Sequence, residues 1–378
     1  MSALASSTTS SASPATSPQH DPASLSSRGD TALASAEPSL ALSFYTRSLS
    51  SLPPSSAPSA RAELLEKSAE CHLQLGDPSS AASCFKEALS LHPSPQLYQQ
   101  LGQLSSGEEA ASLLSSGISL LSSSPASPES AKHLSLLHVS VAELYMTDLC
   151  EHPEAEARAV AAVDAALSLK TSLPDPLQTA ASLRLSQSRG GDAVDYILKA
   201  YSLMSAAVLT MARMVNLAPD AEPVAPGTVP DEQTDSLPPF EFRTTTAKLL
   251  IECGCGVEGV TAKESARLLD AAIAVLGSLL AENDEVVETW FLLGCAMMAT
   301  EPPMLEEAAA NFQKALGMLT ALQTSLNAAL ASSNNAGFAE LGEIGDELER
   351  VEEQMEAIEE RLEEIKERGG GDVMEEGD

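Results

Sequence analysis

Cys253-Gly254-Cys255 is the densest pairing of soft ligands in the chain, and two thiols so close could grip a metal or form a redox couple. Tetrahedral zinc requires a second pair of Cys or His, and no second pair exists elsewhere in the sequence. His20, His72, His92, His133, His138 and His152 make no H-E-x-x-H motif and have no cysteine companions at zinc spacing. Gly190-Gly191 and Gly369-Gly370-Gly371 follow no strand pattern and lack the lysine of a phosphate cradle. Carboxylates adjoin one another often, but most of them on so acidic a chain are solvated faces. These residues predict no enzyme, no cofactor and no metal site. Cys71, Cys84, Cys150, Cys253, Cys255 and Cys295 are expected to be reduced, buried and used as small hydrophobes.

What the charged residues can do is attract a partner. The 378 residues carry 21 Lys+Arg against 54 Asp+Glu, a formal charge of -33. Nucleic acid and anionic membrane surfaces are disfavoured as direct partners, and a basic protein is favoured. Nowhere do 18 apolar residues run unbroken, so no membrane span is expected. No basic segment followed by an apolar one opens the sequence in the manner of a secretory signal.

Glu63, Glu66 and Glu70 stand at helical spacing, so one helix would present all three on one face. Around them the stretch from Ala62 to Pro93 places Ala69, Gly76, Ala81, Phe85, Ala88 and Pro93 at positions 8, 15, 20, 24, 27 and 32 of a 34-residue unit, the tetratricopeptide (TPR) pattern. Small residues at 8, 20 and 27 let two antiparallel helices approach. Gly76 provides the turn and Pro93 ends the second helix. Copies with slipped spacing follow: Ala110, Leu114 and Gly117; Ala159, Val163 and Ala166; Ala193, Ile197 and Ala200. In the last clear copy Trp290 and Gly294 precede Ala308, Phe312 and Ala315, with two extra residues near Glu301-Pro302-Pro303. A sixth, degenerate unit is expected over 240–281. Trp290, the only tryptophan, takes a packing position four residues before the small Gly294.

The fold class is therefore all-α, a TPR-type helical-hairpin solenoid of about six to seven repeats. Residues 1–60, a Ser/Ala/Pro mixture without sustained apolar period, read as a disordered tail. Their Ser-rich, acid-poor composition is also that of an organelle transit peptide, though the arginines form no basic amphipathic helix. Residues 61–338 form the solenoid, with the Pro-rich acidic stretch 219–239 as a loop between repeats. In 339–367 an apolar seam (Leu341, Ile344, Leu348, Val351, Met355, Ile358, Leu362, Ile365) runs along one helix, and 368–378 is an acidic disordered tail. That helix could pair as a coiled coil or cap the solenoid. A parallel homodimer would face Glu347 with Glu352 and Arg361 with Lys366, so the capping role is favoured.

Five segments, LYQQLGQLSSGEEA from Leu97, VAELYMTDLC from Val141, LQTAASLRLSQSR from Leu177, PFEFRTTTAKLLI from Pro239 and NDEVVETWFLLG from Asn283, occur in an order that resembles the fungal and plant TPR assembly chaperones of ribosomal protein L4. The resemblance covers roughly 62–366. It implies a chaperone of the large ribosomal subunit that captures newly made L4, shields its basic internal loop and accompanies it to nuclear pre-60S particles. Such a protein would be cytoplasmic and nuclear, and a monomer without cargo. In TPR arrays the first helix of each unit lines the ligand groove. This implies partner-binding roles for Glu63, Glu66, Glu70, Glu143, Met146, Asp175, Glu288 and Phe291, with Leu73, Gln74, Thr147 and Met298 at comparable positions, and the resemblance adds Asp148 from the distinctive VAELYMTDLC segment. Asp148 could equally be a buried polar cap. The alternatives are a TPR adaptor or co-chaperone, or a scaffold subunit, for another basic partner. A clamp for an acidic C-terminal carboxylate would need basic residues where Glu66 and Glu70 stand.

Overall fold

Prolines punctuate this chain at helix starts. Asp21-Pro22, Glu37-Pro38, Ala57-Pro58, Asp77-Pro78, Ser94-Pro95 and Ser127-Pro128 each place proline in a first turn, where its missing N–H is not needed. Asp21, Asp77, Ser94 and Ser127 add side-chain caps. The computed structural model describes residues 21–123, 125–218, 237–332 and 338–370, and among them finds only helices.

The compact units divide between Thr171 and Ser172. The first contains four antiparallel pairs: α1 (Pro22–Ala34) with α2 (Pro38–Ser51), α3 (Pro58–Gln74) with α4 (Pro78–Leu91), α5 (Pro95–Leu104) with α6 (Gly107–Ser122), and α7 (Pro128–Met146) with α8 (Ala155–Ser168). The second pairs α9 (Asp175–Ser186) with α10 (Gly190–Met214), α11 (Phe240–Gly256) with α12 (Ala262–Glu282), and α13 (Val287–Ala299) with α14 (Leu305–Ser332); α15 (Phe338–Gly370) packs on α14.

The pair α1/α2 corrects the sequence reading, which placed residues 1–60 in a disordered tail. Gly29, Ala36, Ala41, Tyr45, Ser48 and Pro53 each stand 40 residues before Ala69, Gly76, Ala81, Phe85, Ala88 and Pro93, so this stretch carries a full TPR unit. Leu25, Ala41, Tyr45 and Ser48 are buried. Ser48 Oγ donates to the Pro22 carbonyl at 2.7 Å, so even the serine at the small position is satisfied. Composition misled here because serine can serve at small positions and prolines begin helices. Residues 1–20 lie outside the described residues.

The two turns match as well. Gly76 has φ +75° and closes α3 with Gly76 N–H on the Leu73 carbonyl and Asp77 N–H on the His72 carbonyl, at 3.0 and 2.9 Å. Ala36 makes the same two bonds, to Leu33 and from Glu37 to Ala32, at φ +55° with a Cβ in place.

Ala69, Ala81, Phe85, Ala88, Ala308, Phe312 and Ala315 are fully buried between paired helices. Gly294 lets the Phe312 ring approach so closely that an added Cβ would lie 2.7 Å from it. Trp290 is half-buried rather than enclosed. Its Nε1–H donates to the Asp284 carbonyl at 2.8 Å, and Lys314 Nζ lies 5.8 Å from the ring centre.

The C-terminal helix is longer than 339–367, and residues 371–378, like 219–236 of the Pro-rich stretch, lie outside the described residues. Val351, Ile358 and Ile365 bury themselves in the core of the second unit with Met355 and Leu362 beside them, while the Leu341 side chain is outside the described residues. All six cysteines are free, but Cys150 and Cys255 are exposed, so not all of them serve as buried hydrophobes. Burial pushes the Cys253 thiol up to about 12.

Candidate functional site

In the first unit α3 carries Glu63, Glu66 and Glu70 on one side, as the helical spacing requires. Glu63 and Glu70 are exposed; Glu66 is half-buried. Burial, then the nearby Glu70 and Glu63 carboxylates, hold the Glu66 carboxyl above the ordinary glutamate range. A carboxylate so placed gains from any cation that approaches.

An internal cation serves part of the cluster. Lys67 Nζ lies 3.0 Å from Asp30 Oδ1 and 3.2 Å from Glu63 Oε1, joining α1 to α3. Asp30 also accepts the Tyr45 hydroxyl at 2.9 Å. A cavity of about 640 Å³ between these helices is lined by Asp21, Asp30, Glu63 and Lys67 among others. The acidic face thus includes α1, which the sequence reading missed; the 40-residue echo of Ala69 and Phe85 in Gly29 and Tyr45 was the signal.

Glu143 and Asp148 come together on a second cavity, of about 190 Å³, with Gln103 and Thr147. Asp148 is exposed there, which rejects the buried-cap role. Met146 is half-buried beside them in sequence. Tyr145 holds this segment in place. It is buried, its hydroxyl accepts from Arg158 Nη1 at 2.6 Å, and the His152 ring meets it edge-on at 6.0 Å.

In the second unit Asp175 opens α9, half-buried, with its carboxyl raised by burial. Glu288 is exposed and pairs with Lys248 Nζ at 2.6 Å. Phe291 packs against Phe312 with the rings tilted by 55° and their centres 5.7 Å apart. Glu288 and Phe291 face α15: with Val287 they line a cavity of about 430 Å³ whose other wall is Gln354, Ala357 and Ile358 of that helix. Met298, expected at a ligand-facing position, is buried in the core.

Two of the family-like segments meet in a buried polar layer. Thr246 Oγ1 donates to Gln178 Oε1, joining α11 to α9. Arg243, 1% exposed, donates to the Pro238 carbonyl at 3.0 Å and to Ser278 Oγ at 2.9 Å, and pairs with Glu282. Its partners are all structural, so it is a clamp between α11 and α12. Among the described residues no helix is long and apolar enough to cross a membrane, and no group of three or more His, Cys, Asp or Glu is placed to hold a metal ion.

No family model matches the chain. The probable assembly chaperone of rpl4 from Schizosaccharomyces pombe is 27% identical over 236 residues, and the chain spans only 60% of that curated relative's length, using 60% of its own. A solved structure of the assembly chaperone of RpL4 (Acl4) superimposes with a TM-score of 0.51 at 22% identity, covering 73% of this chain and 95% of that one. A tetratricopeptide repeat protein from Parabacteroides merdae covers 87% of this chain and 98% of its own at 14% identity, with a TM-score of 0.41. The fold is an all-α, TPR-type array of helical hairpins, and the chain is similar in sequence and in fold to assembly chaperones of ribosomal protein L4.

Proposed function

We propose that this protein is a dedicated assembly chaperone of ribosomal protein L4, holding the newly made, basic protein until it joins the large-subunit precursor. The similarity over 236 residues to a probable chaperone of that protein carries the reading. The acidic first-helix face of Asp30, Glu63, Glu66 and Glu70 supports it with chemistry. A basic segment destined for rRNA binds polyanions indiscriminately until its charge is answered. Carboxylates presented from rigid helices answer it without nucleic acid, and apolar residues such as Met146 and Phe291 add anchoring.

On this reading the cargo segment is the basic internal loop of L4, and the chaperone is monomeric without cargo. It works in cytoplasm and nucleus, without chemistry of its own and without direct contact to nucleic acid. The helix α15 closes the end of the array as a cap. Its partly buried seam and its exposed acids, such as Glu352, Glu356 and Glu360, give it one docked face and one negative one.

Mass spectrometry of proteins co-purifying with the full chain tests the proposal. L4 should be recovered at low salt and depleted at high salt; recovery of no basic ribosomal protein would overturn it.

A further inference from the structure

The cavity between α13 and α15 differs from the acidic face of the first unit. Its floor is apolar, built from Val287, Phe291, Ala357 and Ile358, and its polar rim is Glu288 and Gln354. The two helices stand apart across a space of about 430 Å³, enough for one long side chain. The rim carboxylate is already occupied: Lys248, on α11, reaches it at 2.6 Å. Both members of that pair are 49% exposed, so the ion pair is in solvent and weak, and another cation can exchange with it.

We propose that this cavity takes one arginine or lysine side chain of the bound basic protein, and that Lys248 is the intramolecular cation it displaces. The proposal deepens the L4 reading and rests on it for the cargo's identity. The methylene stem of the incoming residue lies against Phe291 and Ile358, as long basic side chains do on apolar surface. Its charged head takes Glu288. Arginine suits the site better than lysine, because its planar group can pair with the carboxylate while stacking on the Phe291 ring. Lys248 then sets a threshold: with Glu288 self-neutralised, a ligand offering charge alone gains little, whereas one that also fills the apolar floor gains more.

A thermodynamic cycle tests this with the full chain and two probes, ribosomal protein L4 and an arginine nonapeptide. Lys248→Met should tighten binding about twofold to fivefold, the range an exposed ion pair spans. Lys263→Met, which removes an equal charge from an exposed position on α12, should change it less. Glu288→Gln should weaken binding, and in that background Lys248→Met should give no gain beyond the Lys263→Met control. Ala357→Phe, which fills the cavity from an exposed position, should weaken binding and abolish the Lys248→Met gain while leaving helix content unchanged. Equal gains from Lys248→Met with and without Glu288, or unaltered binding by Ala357→Phe, would overturn the proposal. Failure of the wild type to bind L4 would sink the chaperone reading alone, and the nonapeptide cycle would still decide the subsite.

Discussion

Tyr45 lays its ring over Gly29, so closely that no side chain fits on the glycine, and its hydroxyl donates to the neighbouring Asp30 at 2.9 Å. One contact therefore packs α1 on α2 and orients a carboxylate of the acidic face. Gly29→Ala should destabilise the first unit by about 1 to 3 kcal/mol, the usual range for overpacking. Gly191→Ala, at an exposed position where an added Cβ meets nothing, should be near neutral. Denaturant melts of the two variants check the contrast.

Ala36 occupies the left-handed turn position that Gly76 fills in the next unit. An alanine there is strained by about 1 to 2 kcal/mol, part of which glycine returns as extra freedom when unfolded. Ala36→Gly should raise stability by up to about 1 kcal/mol, read as a higher denaturation midpoint with an unchanged slope.

Most of the repeat architecture was readable because it rests on local spacing. Ala69, Gly76, Ala81, Phe85 and Ala88 carry their roles in their own positions, whatever surrounds them. The pair α1/α2 carries the same spacing, but Ser48 and Ala36 replace the expected small and turn residues, and a Ser/Pro-rich composition hid the rest. Long-range partners were not legible. Nothing near Arg243 says that Ser278 and Glu282 will enclose it, and nothing near Glu288 says that Lys248 will neutralise it. The helical period put Phe291 on a ligand-facing position. That α15 would stand opposite depends on how the final helix docks.

Arg243 is fully buried while its partner Glu282 is half-exposed, so truncating the arginine leaves Ser278 and the Pro238 carbonyl without their donor beside an empty space. Arg243→Ala should cost about 1 to 3 kcal/mol, the range for leaving buried partners without their hydrogen bonds. The loss should register in hydrogen exchange of α11 and α12, with α3 unaffected.

Glu66 gives a pH signature. Its carboxyl is raised above the ordinary value, so between the ordinary and the raised value the folded chain holds a proton that the unfolded chain has released. The contribution of Glu66 to stability therefore becomes more favourable as pH falls through the raised pKa, and the ionised form is the costly one. Glu66→Gln should stabilise the protein at neutral pH, and the advantage should shrink as pH approaches about 4.3, the ordinary glutamate value. The same variant should bind a basic partner less well. Chemical melts across that pH range, alongside binding, read both effects.

Carboxylates on the first helices should hold the basic ribosomal protein. Calorimetric titration of L4 into the wild-type chain and into the variant with Glu63, Glu66 and Glu70 all changed to Lys tests it most directly. The wild-type chain should form a stoichiometric complex whose affinity falls steeply with added salt, and the variant should show a marked loss of affinity with its helix content intact. Equal affinity for both proteins, or binding indifferent to salt, would contradict it.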